Sequence, residues 1–429
     1  MKKLTVLVVG GGGREHALVW KLAQSPLVEK IYAMPGNGGM EALAECVPVK
    51  ATDLESMLAL AQTKQIDFAV VAPDDPLVLG AVDRLNAAGI PCFGPTAAAA
   101  QIEGSKLFAK ELMKKYGIPT ARYETFHDAQ AALAYLKNAA YPTVIKADGL
   151  ALGKGVVIAK DFAQGEAAIR AIMMDRAFGK SGDHVVIEEF LTGPEVTVLA
   201  FTDGETLVPM VSSMDHKAVG EGNTGANTGG MGVIAPNPFY TKEIAQACME
   251  RIFMPTIRAM KREGKPFRGC LYFGLMLTPD GPKVIEYNCR FGDPEAQAVL
   301  ALMESDLMEV MLAVARGKLK ETPVRFRKGA SCCLILASGG YPGHYETGKP
   351  IHFGNVERRE NITVYHAGTR KAENGFVTAG GRVLGVTATA QTLAKAVGQA
   401  YDAAEEIRFE GKYCRRDIGK AALEGKITW

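Results

Sequence analysis

Cysteine is scarce in this chain, with 8 residues among 429 and no C-x-x-C pair. A disulfide-stapled secreted fold and a zinc site built from paired cysteines are therefore not expected. We predict reduced thiols that mostly fill the core. The cysteines are Cys46, Cys92, Cys248, Cys270, Cys289, Cys332, Cys333 and Cys414.

Long apolar segments are also missing. No uncharged apolar stretch approaches the length of about 20 residues that crosses a bilayer. The start of the chain imitates a signal peptide, because Lys2 and Lys3 precede an apolar run, but that run ends after residue 9 in glycines 10 to 13. We therefore predict a soluble, cytoplasmic protein with no membrane partner.

Neither sign of charge is in excess, since 49 Lys+Arg against 47 Asp+Glu leave a net charge of +2. No overall basic field would attract nucleic acid or anionic lipid, so any polyanion site must be local. Hydrophobic residues make up 48% and charged residues 22% of the chain, which is typical of globular proteins and excludes disorder, collagen and coiled coil. The length predicts about two to four domains.

Two familiar catalytic patterns are absent. The chain has neither G-x-S-x-G nor H-E-x-x-H, which disfavours covalent catalysis by a serine and hydrolysis by zinc. His216 stands alone in a polar segment, and an isolated histidine is more often structural than catalytic.

The periodicity predicts an α/β protein of three domains. In residues 1–104, short apolar runs alternate with helical periods, which is the βαβα pattern of a parallel sheet. The predicted strands are 4–9, 31–34, 68–72 and 91–93, and the predicted helices are 14–25, 53–63 and 77–88. Ser105 is a predicted N-cap for a helix over 106–116.

The second predicted domain, 105–327, contains a small α/β unit at about 122–191. Its strands 143–147 and 156–159 flank a glycine-rich turn, and a third strand covers 185–190. Residues 212–232 are polar and lack periodicity, and loops of that length are usually functional or disordered. A helix over 241–263 precedes a hairpin of 269–278 and 283–288. The third domain, 328–429, has predicted strands at 330–337 and 383–389 and a helix at 392–407.

The glycines at 10–13 lie between a strand and a helix, where backbone N–H groups and the helix dipole suit a phosphate. The spacing is a poor dinucleotide fingerprint, because Glu15 stands where its last glycine should be and no acid follows Met34. From these residues alone, a phosphate site and a simple tight turn remain equal alternatives.

Residues 143–158 contain two lysines around a glycine turn. Gly149 and Gly153 are too close together for a P-loop, and a strand follows instead of a helix. A flap over polyphosphate is one interpretation, and solvated surface lysines are the other. Lys146 favours the first, because an unpaired ammonium inside an apolar strand would be costly.

The strongest local signal is the segment 284–295. Alternation places Glu286, Asn288 and Arg290 on one strand face. Glu286 and Asn288 supply two oxygen ligands for a hard cation, and the Arg290 guanidinium can bind an anion with two N–H groups. Mg²⁺ with a triphosphate fits that set. An edge strand with one polar face is the alternative. The segment 188–195 is a weaker signal for adenine and ribose, and there a solvated acidic turn is favoured.

Together these segments resemble the glycinamide ribonucleotide synthetase family of ATP-grasp ligases. The resemblance runs in order from residue 3 to about 420, and its motifs occur together in this family. They are GGREHAL at 12–18, PGN at 35–37, IKADGLA at 145–151 with GKG at 153–155, EEFL at 188–191, NTGGMG at 227–232, NCRFGDPE at 288–295, GGYPG at 339–343 and HAGT at 366–369.

The resemblance implies an ATP-grasp fold with an N-terminal parallel-sheet domain and a small C-terminal α/β domain. It implies that ATP, glycine and 5-phosphoribosylamine give glycinamide ribonucleotide, ADP and phosphate in purine biosynthesis. Glycine would first be phosphorylated to glycyl phosphate, and the sugar amine would then attack. Mg²⁺ or Mn²⁺ would assist, and a one-activity enzyme of bacterial type is expected, as a monomer or a weak dimer.

The resemblance also implies roles for single residues. The catalytic residues would be Lys146, Arg290 and Asp293, with Arg290 on the transferring phosphoryl group and Asp293 near the glycine ammonium. ATP would be bound by Lys106, Lys146, Lys154, Glu188, Glu189, Leu191 and Glu195, and the metal by Glu286 and Asn288. The substrates would be bound by Gly13, Arg14, Glu15, Asn37, Asp215, Asn227, Gly229, Gly230, Arg290 and Asp293, with Gly13 to Glu15 and Asn37 on the sugar phosphate.

This chain departs from the family pattern in several places, chiefly on the acceptor side. The departures are Ala72 and Asp74 in place of Gly and Glu, Pro194 in place of an acid, Ala218 in place of Arg, and Ala226 in place of Pro. They leave two rival hypotheses. The first is an ATP-grasp ligase for another acid or amine. The second is a nucleotide-binding regulatory protein without turnover, which the intact Lys146, Glu286, Asn288 and Arg290 argue against.

Overall fold

A computed structural model describes residues 3–150 and 155–425 of the chain. Lys154, predicted to lie on a flap over ATP, falls outside the described residues. In the described residues, no helix is long and apolar enough to cross a membrane. All eight cysteines are described and are free thiols, and six of them are buried.

The N-terminal region forms the parallel sheet that the βαβα pattern predicted. The strand order is β3-β2-β1-β4-β5, with helices on both faces, so residues 6–9 of β1 are completely buried. The strands are β1 (Leu4–Gly10), β2 (Val28–Pro35), β3 (Glu45–Cys46), β4 (Phe68–Val71) and β5 (Cys92–Phe93). The helices are α1 (Gly13–Leu22), α2 (Leu54–Thr63), α3 (Asp74–Val78), α4 (Ala81–Ala87) and α5 (Ala97–Gly104).

The prediction of one helix over 77–88 was wrong. The chain forms α3 and α4, separated at Gly80, which has a left-handed φ of +89°. A glycine adopts that conformation without steric cost, and the left-handed residue ends the first helix.

The next unit is a small antiparallel sheet with its own core. Ser105 caps the following helix as predicted, because its Oγ accepts a hydrogen bond from Phe108 N–H at 3.1 Å. The strand order is β6-β9-β7-β8. The elements are α6 (Lys106–Tyr116), β6 (Tyr123–Phe126), α7 (Ala129–Leu136), β7 (Thr143–Ala147), β8 (Val156–Ala159), α8 (Phe162–Ile169) and β9 (Val185–Glu189).

A second antiparallel sheet, ordered β11-β10-β16-β17, forms the centre of the molecule. The predicted hairpin is confirmed as β16 and β17, and the predicted long helix is α9 and α10 joined by a π-helical turn at Met249–Phe253. The elements are β10 (Glu195–Thr202), β11 (Leu207–Pro209), β12 (Met214–Asp215), β13 (Ala218–Gly220), β14 (Thr224–Asn227), β15 (Gly232–Ala235), α9 (Lys242–Cys248), α10 (Met254–Arg262), β16 (Gly269–Thr278), β17 (Gly281–Asn288), α11 (Glu295–Val299) and α12 (Leu307–Arg316).

Residues 212–232 are more regular than their composition indicates. β13 and β14 form a small hairpin, and β12 pairs with β15. The missing periodicity has a physical reason: these strands are two to four residues long, which is too short to repeat a pattern.

The C-terminal sheet has the order β12-β15-β18-β23-β20, with β24 also paired to β18. It therefore includes strands from 214–235 as well as strands after 328, so the sheet crosses the proposed domain division. The elements are β18 (Ala330–Ser338), β19 (Pro350–Ile351), β20 (Ile362–His366), β21 (Thr369–Ala372), β22 (Gly375–Thr378), β23 (Arg382–Ala390), α13 (Leu393–Glu406), β24 (Lys412–Tyr413) and α14 (Lys420–Leu423).

One hydrophobic core joins the N-terminal sheet to the central sheet. Leu7 and Val9 of β1 belong to the same buried cluster as Val198 of β10 and Phe273 of β16. The small subdomain has a separate core around Ile145 and Ile187. This packing fixes the loops after β1 and β2 beside the end of β17, where the candidate site lies.

Candidate functional site

Lys146 of β7 is buried and paired with Glu188 of β9. Their charged atoms, Nζ and Oε1, are 3.0 Å apart, and each residue is 4% exposed. Lys110 of α6 lies on the other carboxylate oxygen of Glu188, at 3.1 Å. The sequence prediction missed Lys110, although a lysine that shares a helix face with Leu107 and Met113, three residues to either side, is a detectable signal. The Glu188 carboxylate is thus held by two ammonium groups, one on each oxygen.

Lys146 also contacts the central sheet. Its Nζ donates a hydrogen bond to the carbonyl oxygen of Ile285 in β17, at 3.0 Å. Ile285 is adjacent to Glu286, so the predicted phosphate lysine and the predicted metal ligand lie at one junction between two sheets.

Glu189 points away from that junction. Its carboxylate accepts hydrogen bonds from Arg122 N–H and Nε, at 2.9 and 2.7 Å, and lies 3.5 Å from Lys283 Nζ. Neighbouring residues of a strand face opposite sides, so the geometry removes the Glu189 side chain from the Lys146 side. Leu191 follows two residues later and is half-buried.

Lys106, at the start of α6, connects that helix to the end of β7. Its Nζ donates to the carbonyl oxygen of Gly149 at 2.8 Å. Asp148 accepts hydrogen bonds from Ser105 Oγ and from Leu107 N–H, at 3.1 and 3.0 Å. Burial lowers the pKa of Lys106. The helix N-terminus, Lys106 and the strand leading to the predicted flap therefore form one unit.

The predicted metal ligands lie beside an unforeseen lysine. Lys217 Nζ is 3.4 Å from Glu286 Oε1 and 3.3 Å from Glu195 Oε2, so it joins the predicted ribose residue to the predicted metal ligand. Lys217 lowers the pKa of Glu286 to about 2 against the opposing effect of burial. Asn288 Oδ1 receives a 3.5 Å contact from Arg290 Nη2.

These oxygen atoms suit a hard divalent cation. The Glu286 carboxylate is ionised, and Asn288 adds the carbonyl oxygen of its side-chain amide. Mg²⁺ and Mn²⁺ both accept such oxygen ligands. In the described residues no group of three His, Cys, Asp or Glu side chains could hold a metal by itself. The two predicted ligands, Glu286 and Asn288, would therefore suit a cation that takes its remaining ligands from phosphate and water.

Arg290 is enclosed by two acids whose pairing with it the sequence did not predict. Its Nη2 lies 2.8 Å from Glu103 Oε1 and 3.9 Å from Asp74 Oδ2. Glu103 also accepts a hydrogen bond from Cys289 N–H at 2.7 Å. Burial alone would lower the pKa of Arg290, but Glu103 raises it. A detectable signal was Glu103 itself, a carboxylate in the alanine-rich α5 two residues before the capping Ser105.

The glycine loop after β1 is already filled by a carboxylate. Glu15 accepts hydrogen bonds from Gly12 N–H and from Arg14 Nε, each at 2.6 Å. Arg14 also donates to the carbonyl oxygen of Phe291 at 3.2 Å. Gly13 packs against Asp293, because a Cβ there would lie 3.5 Å from Asp293 Oδ1. The predicted phosphate site is thus, in this structure, a capped helix start that places Arg14 and Gly13 beside residues 291–293.

Asn37 uses its whole side chain to hold loops together. Its Nδ2 donates to the carbonyl oxygens of Gly11 and His366, at 3.0 and 2.8 Å, and its Oδ1 accepts from Gly39 N–H at 3.0 Å. The side chain is therefore not free for a sugar phosphate. The loop borders an open cavity of about 420 Å³, whose lining includes Gly12, Asn37, Asp293, Tyr341, Thr369 and Arg382.

Asp293 in this cavity is paired with Arg382 of β23. Arg382 Nη2 lies 3.2 Å from Asp293 Oδ2, and Nη1 donates to the carbonyl oxygens of Gly229 and Asp293 at 2.5 and 2.6 Å. Gln297 also donates to Asp293, at 2.7 Å. Burial would raise the pKa of Asp293, but Arg382 lowers it. Because Arg382 already neutralises the Asp293 carboxylate, no substrate ammonium is required to balance its charge.

Asp215 lies against Gly230, as the predicted acceptor site requires. A Cβ on Gly230 would come 2.6 Å from Asp215 Oδ1, and Gly230 has a φ of +110°, so only glycine fits there. Asn227 is exposed and pairs in register with Ala218 in the β13–β14 hairpin.

A second carboxyl group belongs to the same cluster. Burial and the proximity of Glu295 raise the pKa of Asp215 well above its ordinary value. Burial likewise raises the pKa of Glu295, whose Oε1 accepts a 3.5 Å hydrogen bond from Thr197 Oγ1. Two neighbouring carboxyl groups with raised pKa values form a site that a small cation would stabilise.

His216 is structural, as its isolation in the sequence indicated. Its Nε2 accepts a hydrogen bond from Gly419 N–H at 3.2 Å, and its Nδ1 lies 3.1 Å from the carbonyl oxygen of Gly232. Burial, followed by Arg415, lowers its pKa to about 4. It is therefore neutral at neutral pH and ties the C-terminal segment to β15.

Comparison with known proteins covers almost the whole chain. Residues 4–103 match "Phosphoribosylglycinamide synthetase, N domain", 104–296 match its "ATP-grasp (A) domain" and 331–421 its "C domain". The phosphoribosylamine–glycine ligase of Escherichia coli K12 is 48% identical over 425 residues, which are 98% of this chain and 99% of that protein.

Solved structures give a consistent picture. A crystal structure of phosphoribosylamine–glycine ligase from Thermotoga maritima aligns with a TM-score of 0.85 at 34% identity, over 96% of this chain and 100% of that one. The biotin carboxylase domain of Hydrogenobacter thermophilus 2-oxoglutarate carboxylase, solved with MgADP and bicarbonate, aligns with a TM-score of 0.77 at 18% identity, over 100% of this chain and 96% of that one. The second likeness concerns the fold alone.

Proposed function

This chain belongs to the phosphoribosylglycinamide synthetase family, and from that premise we propose how its residues divide the work of the reaction. The activity is the ATP-dependent ligation of glycine to phosphoribosylamine, a step of purine biosynthesis. ATP-grasp enzymes of this kind use a divalent metal ion with ATP.

The proposed chemistry has two steps. A glycine carboxylate oxygen attacks the γ-phosphorus of ATP, the bond to ADP breaks, and glycyl phosphate forms. The amine of 5-phosphoribosylamine then attacks the glycyl carbonyl carbon, loses a proton, and expels phosphate to leave the amide. A carboxylate is a poor electrophile, so the phosphorylation makes the second step possible. Such a sequence needs positioning and charge neutralisation more than an enzyme nucleophile.

One observation carries the assignment of the ATP site. Lys146 Nζ donates to the carbonyl oxygen of Ile285 at 3.0 Å, which brings the predicted phosphate lysine of the small subdomain to the strand that bears Glu286 and Asn288. ATP held at this junction would meet Lys146 and Lys106 from one side and the metal ligands from the other. Lys154 stays in the proposal as a flap residue.

The adenosine contacts are proposed on the basis of burial and position. The backbone of Glu188 to Leu191 would meet adenine, since the Glu188 carboxylate is occupied by lysines. Glu195 is exposed and already faces a cation, Lys217, and its second oxygen is left for the ribose hydroxyls. Glu189 would contact adenine through its backbone only.

A metal held by Glu286 and Asn288 would, when bound, neutralise phosphate charge and orient the phosphoryl group for attack. We propose Mg²⁺, with Mn²⁺ as the alternative, because the donor atoms are hard oxygens. Arg290 lies 3.5 Å from Asn288 and would add a guanidinium on the transferring phosphoryl group.

The glycine ammonium fits Asp215 and Glu295 better than Asp293. Asp293 is neutralised by Arg382 at 3.2 Å, whereas both other carboxyl groups have raised pKa values. An ammonium placed between them would lower both pKa values and be held against Gly230. Asp293 then belongs to the sugar side, with Gly13, Arg14 and the loop that Asn37 supports.

The departures from the family pattern concern positions where backbone contacts dominate. The carbonyl oxygen of Ala218 accepts from Arg415 Nη1 at 2.9 Å, that of Pro194 accepts from Leu277 N–H at 3.0 Å, and Ala72 N–H donates to Val9 at 3.4 Å. Asp74 keeps its charge near Arg290 at 3.9 Å. Ala226 is exposed. Glycine and phosphoribosylamine therefore remain the proposed substrates.

Three further properties remain proposals. We propose a cytoplasmic location, and a monomer or weak dimer. We also propose domain boundaries after residues 104 and 327. The strands β12 and β15, from the second domain, extend the sheet of the third.

The decisive test measures ADP release with Mg-ATP and glycine, with and without phosphoribosylamine formed in the assay from ribose 5-phosphate and ammonia. Release that requires both substrates is expected. Release that is as fast with alanine or aspartate as with glycine would favour a ligase for another acid. Nucleotide binding without release under any condition would favour the regulatory protein.

A further inference from the structure

Lys110 is a buried cation that the proposed reaction does not use. It is 2% exposed, and its Nζ lies 3.1 Å from Glu188 Oε2 and donates to Thr120 Oγ1 at 2.7 Å. Glu188 is shared with Lys146, at 3.0 Å from its other oxygen. A buried lysine is rare unless a partner holds its charge, so this position requires an explanation.

The contacts of Lys110 close a ring through four elements. From Lys110, the hydroxyl of Thr120 donates onward to the carbonyl oxygen of Val284 at 2.7 Å. From Glu188, Lys146 donates to the carbonyl oxygen of Ile285 at 3.0 Å. Val284 and Ile285 are consecutive in β17, so the ring connects α6 and the small subdomain to the strand that leads to Glu286.

The charges in this ring do not cancel. Two ammonium groups share one carboxylate, which leaves an excess of one positive charge away from water. Without Lys110, the Lys146 ammonium and the Glu188 carboxylate would form a pair with no net charge, and that pair would attract phosphate less strongly.

We propose that Lys110 is a positioning residue for ATP, which shares the charge of Glu188 and thereby leaves the cluster around Lys146 with a net positive charge, fixed toward the nucleotide phosphates. The proposal rests on the ATP site proposed above. It assigns Lys110 no contact with the nucleotide, and its effect passes through Glu188 and Lys146.

Protonation of Lys110 adds a pH dependence to the same geometry. Burial lowers the pKa of Lys110 to about 8, with Glu188 opposing and Lys146 adding to the effect of burial. The other groups that face it are Glu189, as a more distant charge, and the Tyr123 ring, whose centroid lies 5.4 Å from Nζ. When Lys110 loses its proton above about pH 8, Glu188 is paired with Lys146 only and the net positive charge disappears. The affinity for nucleotide therefore falls as the pH rises.

The test is the dissociation constant of Mg-ADP, measured calorimetrically at pH 7.0 and pH 9.0 without glycine or sugar amine. Lys110→Met should weaken binding about tenfold at pH 7.0 and remove most of the pH dependence. Lys114→Met is the matched control, because Lys114 is exposed one turn further along the same helix and also lies over the Tyr123 ring, at 6.0 Å. It should match the unmodified protein.

Two more variants separate positioning from folding. Lys110→Met combined with Glu188→Gln removes the carboxylate that Lys110 offsets, so affinity should recover toward that of the unmodified protein. In Lys110→Arg, the arginine keeps its charge at both pH values, so this variant should bind Mg-ADP equally well at pH 7.0 and pH 9.0. It tests the role of the charge even if Lys110→Met does not fold.

Three outcomes would overturn the inference: unchanged binding by folded Lys110→Met, no recovery in the double variant, or an undiminished pH dependence in Lys110→Arg. Failure of the unmodified protein to bind Mg-ADP would instead overturn the proposed ATP site.

Discussion

Arg290 and Glu103 form an ion pair, with 2.8 Å between guanidinium Nη2 and carboxylate Oε1, that connects the end of the central hairpin to helix α5 of the N-terminal domain. Neither residue can be understood alone. The Glu103 side chain is 7% exposed, so its charge depends on Arg290, and Arg290 depends on Glu103 for its orientation toward Asn288.

Arg290→Ala should reduce kcat by about 10²- to 10³-fold and leave the Mg-ADP dissociation constant nearly unchanged, because the guanidinium acts on charge that develops during phosphoryl transfer. The variant also leaves Glu103 buried and unpaired, which costs about 3–5 kcal/mol of stability. Adding Glu103→Gln should restore the stability without restoring turnover. Near-normal kcat in either variant would remove Arg290 from the mechanism.

Lys217→Met should make the metal requirement more sensitive to pH. Lys217 is the main cause of the lowered pKa of Glu286, about 2, so its removal raises that pKa and lets protons compete with the metal at higher pH. The half-saturating Mg²⁺ concentration should therefore rise more steeply between pH 8 and pH 5.5 than in the unmodified protein. Lys242→Met, at an exposed position on α9, is the control, and parallel pH curves for both variants would contradict the prediction.

Arg382→Met should weaken the binding of phosphoribosylamine without changing the binding of ATP. Arg382 holds Asp293 and the carbonyl oxygen of Gly229 around the acceptor cavity, whose lining does not include Lys146 or Ile285. We expect KM for phosphoribosylamine to rise about tenfold, equivalent to ~1.4 kcal/mol, while KM for ATP changes less than about twofold. Arg408→Met, exposed after α13, should change neither. A rise confined to the KM for ATP would refute the assignment.

Asp215→Asn should weaken glycine binding selectively. The amide cannot supply the negative charge that an ammonium between Asp215 and Glu295 requires, so KM for glycine should rise by about tenfold or more. Asp280→Asn, in the exposed turn of the central hairpin, is the matched control. If glycine KM is unchanged in Asp215→Asn but rises in Asp293→Asn, the ammonium belongs at Asp293 after all.

His216 should make the fold acid-sensitive. Its pKa is lowered to about 4, mainly by burial, whereas an unfolded histidine titrates near pH 6.5. The unfolded state therefore binds more protons between these values, and stability falls as the pH drops from about 6.5 toward 4, by up to ~2 kcal/mol at pH 5 for this group.

Urea denaturation at pH 7.5 and 5.0 would measure this effect as a difference between the two free energies of unfolding. His216→Gln should reduce that difference, while His352→Gln, at an exposed histidine, should not. An equal loss of stability on acidification in both variants would assign the acid sensitivity to other groups.

The sequence alone determined the α/β class and most element positions, and it predicted the side chains of the ATP and metal sites. Strands such as β1 and helices such as α6 are set by local patterns: a run of apolar residues between glycines, or a capping serine before a helical period. The motif residues Lys146, Glu286, Asn288 and Arg290 stand out because polar groups are costly in apolar strands unless they have a use.

The tertiary structure decided which charges those residues meet. Lys110, Lys217, Glu103 and Arg382 come from distant segments, and no local pattern shows that Lys110 shares Glu188 with Lys146 or that Arg382 neutralises Asp293. The family resemblance implied that Asn37 and Glu15 bind the sugar phosphate, and only the packed loops show that their side chains already have partners. Electrostatic roles depend on distances of a few ångströms between elements, and such distances exist only once the sheets have packed.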